Sequence, residues 1–96
     1  MTGLYVPSPA GAFGCRFCSI LRELLTFVWR EDVPRFRRLW DSGGCSATMT
    51  GAAYLLIERG EDASLFQIDP RVGPELARQI GAIWISSESM HAIEGD

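Results

Sequence analysis

Cys15-Arg16-Phe17-Cys18 places two thiols three residues apart, where a glycine-rich stretch gives way to an amphipathic segment. Thiols at that spacing can close on one metal ion or form a reversible disulfide, and helix N-terminal amides stabilise a thiolate. Two singletons, Cys45 and His91, would complete a Cys3His set of the kind that holds zinc in a closed tetrahedral site. Such zinc patterns normally show a second tight pair of ligands, and Cys45 and His91 do not make one. The reading without chemistry has Cys18 as a small hydrophobe on the helix stripe. Three cysteines are an odd number, which argues against a disulfide framework. The expectation is therefore reduced thiols and no cofactor, with zinc on Cys15, Cys18, Cys45 and His91 as the alternative.

Other catalytic chemistry finds little material. His91 is the sole histidine and lies in a tail-like segment, and neither G-x-S-x-G nor H-E-x-x-H occurs. All nine basic residues are arginine, so Schiff-base catalysis and Walker A phosphate binding are excluded. Codon bias in a GC-rich genome accounts for the missing lysine as readily as any function does. The carboxylate pairs Glu31-Asp32 and Glu61-Asp62 fall at a helix start and a turn, where capping and solvation explain them.

A second cluster is basic. Arg30, Arg35, Arg37 and Arg38 lie around Phe36 and Trp40. Arginine interleaved with aromatics can bind phosphates or stack on bases, or it can be a solvated face whose stems cover aromatic edges. A net charge of −3 disfavours nucleic acid and favours an acidic protein partner. Arg35, Arg37, Arg38 and Trp40 are thus the candidate partner-binding residues. Arg and Trp are the types most often found at interface hot spots. Ten aromatics in 96 residues are a high load for one small core, and surplus aromatics are common at binding surfaces.

The elements that must position these groups read as follows. Residues 1–14, with three glycines and two prolines, read as a loop-like or flexible arm in which only Leu4-Tyr5-Val6 suggests a strand. Phe17, Leu21, Leu24 and Val28 follow a helical period, widened by Cys18 and Leu25. Asp32-Val33-Pro34 opens a second helix that Gly43-Gly44 stops, making either a helical hairpin or one helix kinked near Pro34. Residues 53–58 and 64–68 alternate as strands around a polar turn and predict a β-hairpin. A short helix follows, ending at Ile80, and then a third strand over 82–86. Residues 87–96 read as an acidic tail, leaving 15–86 as a single α+β domain.

With these elements in place, the C-x-x-C heading a helix after a strand resembles the active-site placement of the thioredoxin and glutaredoxin families. The hairpin, helix and final strand over 53–85 echo the second half of that fold. The resemblance implies dithiol chemistry at Cys15 and Cys18. The chain departs from it in the eight residues between Val6 and Cys15, where the family has a tight turn. It also lacks a proline before Ala53, and residues 30–42 read as helix where the family has a second parallel strand.

The expected fold is therefore α+β: two N-terminal helices on a short antiparallel sheet, made of a hairpin plus one further strand, with a third short helix. The expected core is Phe17, Leu21, Leu24, Leu25, Val28, Phe36, Leu39, Leu55, Ile57, Phe66, Ile68, Leu76, Ile80 and Ile83. The expected protein is small, cytoplasmic and non-enzymatic, acts on another protein, and has no membrane partner. An inhibitor, an immunity protein or an accessory factor fits, including a phage-type inhibitor of a host defence system. The alternative is a zinc-binding or thiol-redox protein built on Cys15 and Cys18.

Overall fold

The computed structural model describes residues 3–49 and 51–93. Helix α1 (Cys18–Trp29) forms on the periodic stripe, with Leu21 and Leu24 fully buried. Helix α2 (Val33–Ser42) starts at Asp32, whose carboxylate accepts the Arg35 N–H at 3.3 Å, satisfying one of the free donors of the first turn. Pro34 sits in that first turn, where a missing N–H costs nothing. Between the helices Glu31 takes φ 54°, the left-handed conformation that reverses the chain. Of the two arrangements expected here, the helical hairpin is the one formed.

The expected sheet is too small. Seven strands form one antiparallel sheet: β1 (Leu4–Pro7), β2 (Phe13–Cys15), β3 (Cys45–Ala47), β4 (Tyr54–Glu58), β5 (Ala63–Ile68), β6 (Ile83–Ser86) and β7 (Met90–Ala92). Their spatial order is β3-β2-β6-β5-β4-β1-β7. The expected hairpin is β4–β5, paired Tyr54 to Ile68 and Leu56 to Phe66 with a bulge at Ile57, and β6 lies beside β5. Of the four additional strands, β1 forms where Leu4-Tyr5-Val6 suggested one, while β2, β3 and β7 are three residues long, too short to display an alternating pattern. Two of them, β3 and β7, are the sheet edges, where short strands limit pairing with other chains. Of the arm at 1–14 and the tail at 87–96, residues 1–2 and 94–96 lie outside the described residues.

Each sheet face buries a different cluster. Cross-strand pairing puts Tyr5, Tyr54, Phe66, Ile68, Ile83 and Ile85 on one face, where helix α3 (Pro74–Ile80) adds Leu76, Ala77 and Ile80. The opposite face presents Phe13, Cys15, Ala63 and Trp84 to Leu21, Leu24 and the apolar side of α2. Gly14 is required between them: a Cβ there would lie 2.8 Å from Ile85 Cγ1 and 2.8 Å from the Trp84 carbonyl oxygen.

Three residues expected in the core are exposed instead. Phe17 precedes α1 in extended conformation, Val28 lies in the last turn of α1, and Ile57 falls in the β4 bulge. Tyr54, Ile85, Met90 and Cys15 take core positions that the periodicity did not reveal.

Between β5 and α3, the buried Asp69 accepts three hydrogen bonds from the Arg71 side chain at 2.8–3.2 Å and one from the Arg71 N–H at 3.0 Å. These bonds hold the Asp69 carboxyl below its usual pKa and raise that of Arg71. The Asp69 carbonyl accepts the N–H groups of Val72 and Gly73, closing the turn that delivers α3.

Candidate functional site

Helix α2 is amphipathic, yet none of its residues is fully buried. Phe36, Leu39 and Trp40 are half-covered. Phe36 stacks on Trp40 with centroids 5.8 Å apart, and Phe13 from β2 meets both rings edge-on at 5.9 and 5.5 Å. This three-ring cluster fixes the outer helix to the sheet and leaves one flank of each ring open. At the turn end of the hairpin, Val28 and Val33 are exposed and Trp29 is 87% exposed.

The four residues expected to form one patch are divided between two flanks of α2. Arg37 and Trp40 line a groove of about 370 Å3 with Phe13, Val33 and Phe36. Arg35 and Arg38 line another, of about 280 Å3, with Glu23, Phe27, Leu39 and Ser42. Spacings of i, i+3 put 37 with 40 and 35 with 38, and the two pairs look away from each other. Arg35 is already engaged by Asp32 at 3.5 Å. Arg37 and Arg38 have no ion-pair partner among the described residues. The first groove shares Val33 and Phe36 with a hollow of about 230 Å3 lined also by Phe27, Val28, Glu31 and Asp32. Sequence reasoning missed Val33, which is exposed and lines both; Trp29 is barer still but lines none of these grooves.

The cysteines are arranged differently from either expectation. Cys15 is disulfide-bonded to Cys45, directly opposite it on β3, and Cys18 is the free, half-buried thiol. The expectation of three reduced thiols is corrected accordingly. Antiparallel register brings two residues 30 positions apart into contact, a pairing that local spacing cannot express. His91 lies on β7, five strand spacings or about 24 Å along the sheet from β2. The Cys3His set is therefore not assembled, and no group of three metal-ligating side chains is found among the described residues. The thioredoxin-like arrangement fails on the same evidence, since Cys15 is bonded to Cys45 and every ladder is antiparallel.

The chain matches no protein-family model, no curated protein and no solved structure. Among the described residues, no helix is long and apolar enough to cross a membrane.

Proposed function

We propose that this chain works by binding another protein through the outer flank of the α1–α2 hairpin. The observation that carries the reading is a ten-residue amphipathic helix with no buried residue, whose Val33, Phe36, Arg37 and Trp40 line an open groove with Phe13. Apolar surface left open beside rigid aromatic rings is what a partner's side chains can fill, and Trp and Arg dominate such contacts. Arg37, without an ion-pair partner among the described residues, stands on this flank of a chain of net charge −3, so the partner surface that fits is apolar at its centre and acidic at its rim. An inhibitor, an immunity protein and an accessory factor, the phage-type inhibitor among them, all meet this description, and the partner decides among them. Zinc or dithiol chemistry at Cys15 and Cys18 has no comparable support. A cytoplasmic location stays part of the proposal, but the Cys15–Cys45 bond weighs against it, because disulfides persist mainly in oxidising compartments.

The test compares the wild-type chain with Arg37→Glu in quantitative affinity capture from the cells that naturally make it. A specific partner should be retained by wild type and lost about tenfold or more by the variant. Equal capture by both, at low and moderate salt, would remove this flank as the interface.

A further inference from the structure

On the α3 side of the sheet, away from the helical hairpin, a small hollow of about 170 Å3 opens at the β4–β5 turn. Its floor is Leu56 and the buried ring of Phe66, and its polar wall is Tyr5, Arg59, Ser64 and Ser87. Ser64 is 4% exposed, a position at which a hydroxyl must be hydrogen-bonded. It accepts the Gly60 N–H at 3.1 Å and lies 3.0 Å from the Ser87 hydroxyl oxygen. Gly60 makes this closure possible, since a Cβ there would collide with the Ala63 carbonyl oxygen.

The proton count of this wall is one-sided. The two serine hydroxyls carry two protons and use one between themselves, so one O–H is left over whichever of them donates. Arg59 Nη2 donates to the Tyr5 hydroxyl oxygen at 3.1 Å, which leaves the Tyr5 O–H free as a donor polarised by the guanidinium. Arg59 has no ion-pair partner among the described residues and keeps further N–H groups. A tyrosine hydroxyl, a serine hydroxyl and an unneutralised guanidinium thus border one hollow with an apolar floor. That donor set asks for an acceptor bearing negative charge.

We infer that this hollow binds the carboxylate of a small organic acid, with its short apolar body against Leu56 and Phe66. The volume lies below the ~300–1,000 Å3 of pockets that take drug-sized ligands, so the acid is a short-chain one. Glu61 also lines the hollow and is exposed, so its charge opposes the ligand through solvent. This site is independent of the hairpin surface and stands or falls without it.

The experiment is an NMR titration of the full chain with sodium butanoate, butanamide and inorganic phosphate, following the amides of Gly60, Ser64 and Ser87. Butanoate should shift these signals saturably with a dissociation constant of about 1 mM, as suits so small a ligand. Butanamide should give no saturable shift, and phosphate should bind more weakly than butanoate. Arg59→Gln, an exposed substitution, should abolish the response, and Tyr5→Phe, which keeps the ring, should weaken binding about fivefold. Glu61→Gln should tighten it at low salt. No saturable shift with butanoate overturns the proposal. So does an equal response to butanamide or phosphate, or a response that survives in Arg59→Gln.

Discussion

Cys15, the last residue of β2, stands directly across from Cys45, the first residue of β3, and the two sulfurs are bonded. The bond ties an edge strand to the sheet beside the start of α1 and closes a loop containing the whole helical hairpin. With a separation of 30 residues, constraint of the unfolded chain should contribute about 2–4 kcal/mol. Unreduced protein unfolded in denaturant should therefore take up one alkyl group, at Cys18, and the reduced protein three. Three adducts without reductant would contradict the bond. Cys15→Ala/Cys45→Ala should lower the denaturation midpoint while leaving the fold in place.

Leu24 is fully buried between α1 and the Cys15–Ala63 face of the sheet. Leu24→Ala should cost ~2–5 kcal/mol, a large share of what a domain this small has. Trp29→Ser, at the exposed end of the same helix, should change stability by only about 0.5 kcal/mol or less. Chemical denaturation of the two variants checks the contrast, and equal losses would mean that α1 is oriented differently.

Asp69 gives the fold a predictable acid sensitivity. Its carboxyl is held below the usual value of 3.8 by the side-chain and then the backbone hydrogen bonds from Arg71. A depressed folded-state pKa means stability that is complete above the ordinary carboxylate value and lost as pH falls through the depressed one. Asp69→Asn should therefore be less stable than wild type at neutral pH, with the difference shrinking below about pH 4. Denaturation midpoints measured across that range check it, and a pH-independent difference would contradict the assignment.

Much of this arrangement was legible in the residues, for physical reasons that also mark where legibility stops. α1 shows its stripe because Leu21 and Leu24 recur at the helical period over a long element. β4 and β5 show theirs because five or six residues suffice for alternation. β2 and β3 have three residues each, and their place is set by partners far away in the chain, so Phe13-Gly14-Cys15 and Cys45-Ser46-Ala47 carry no local sign of a strand. Gly14 reads as a loop residue until the Ile83 and Ile85 side chains are seen pressed against it. Among the candidate site residues, the sequence offered Arg35, Arg37, Arg38 and Trp40 as one patch, and only helix geometry separates Arg37 and Trp40 from Arg35 and Arg38. Trp29 lies off the Leu21–Leu24 stripe of α1 and is exposed.

The central claim is that the Val33–Arg37–Trp40 flank is an interface, and site-specific photo-cross-linking tests it most directly. A cross-linking residue would replace the exposed Val33 in one variant and the exposed Ile57, on the far part of the sheet, in another. In the native cells, position 33 should give one discrete cross-linked protein, and position 57 should not give that product. Adding Arg37→Glu to the position-33 variant should abolish the band. No discrete product at position 33, or a product indifferent to the charge reversal, would contradict the account.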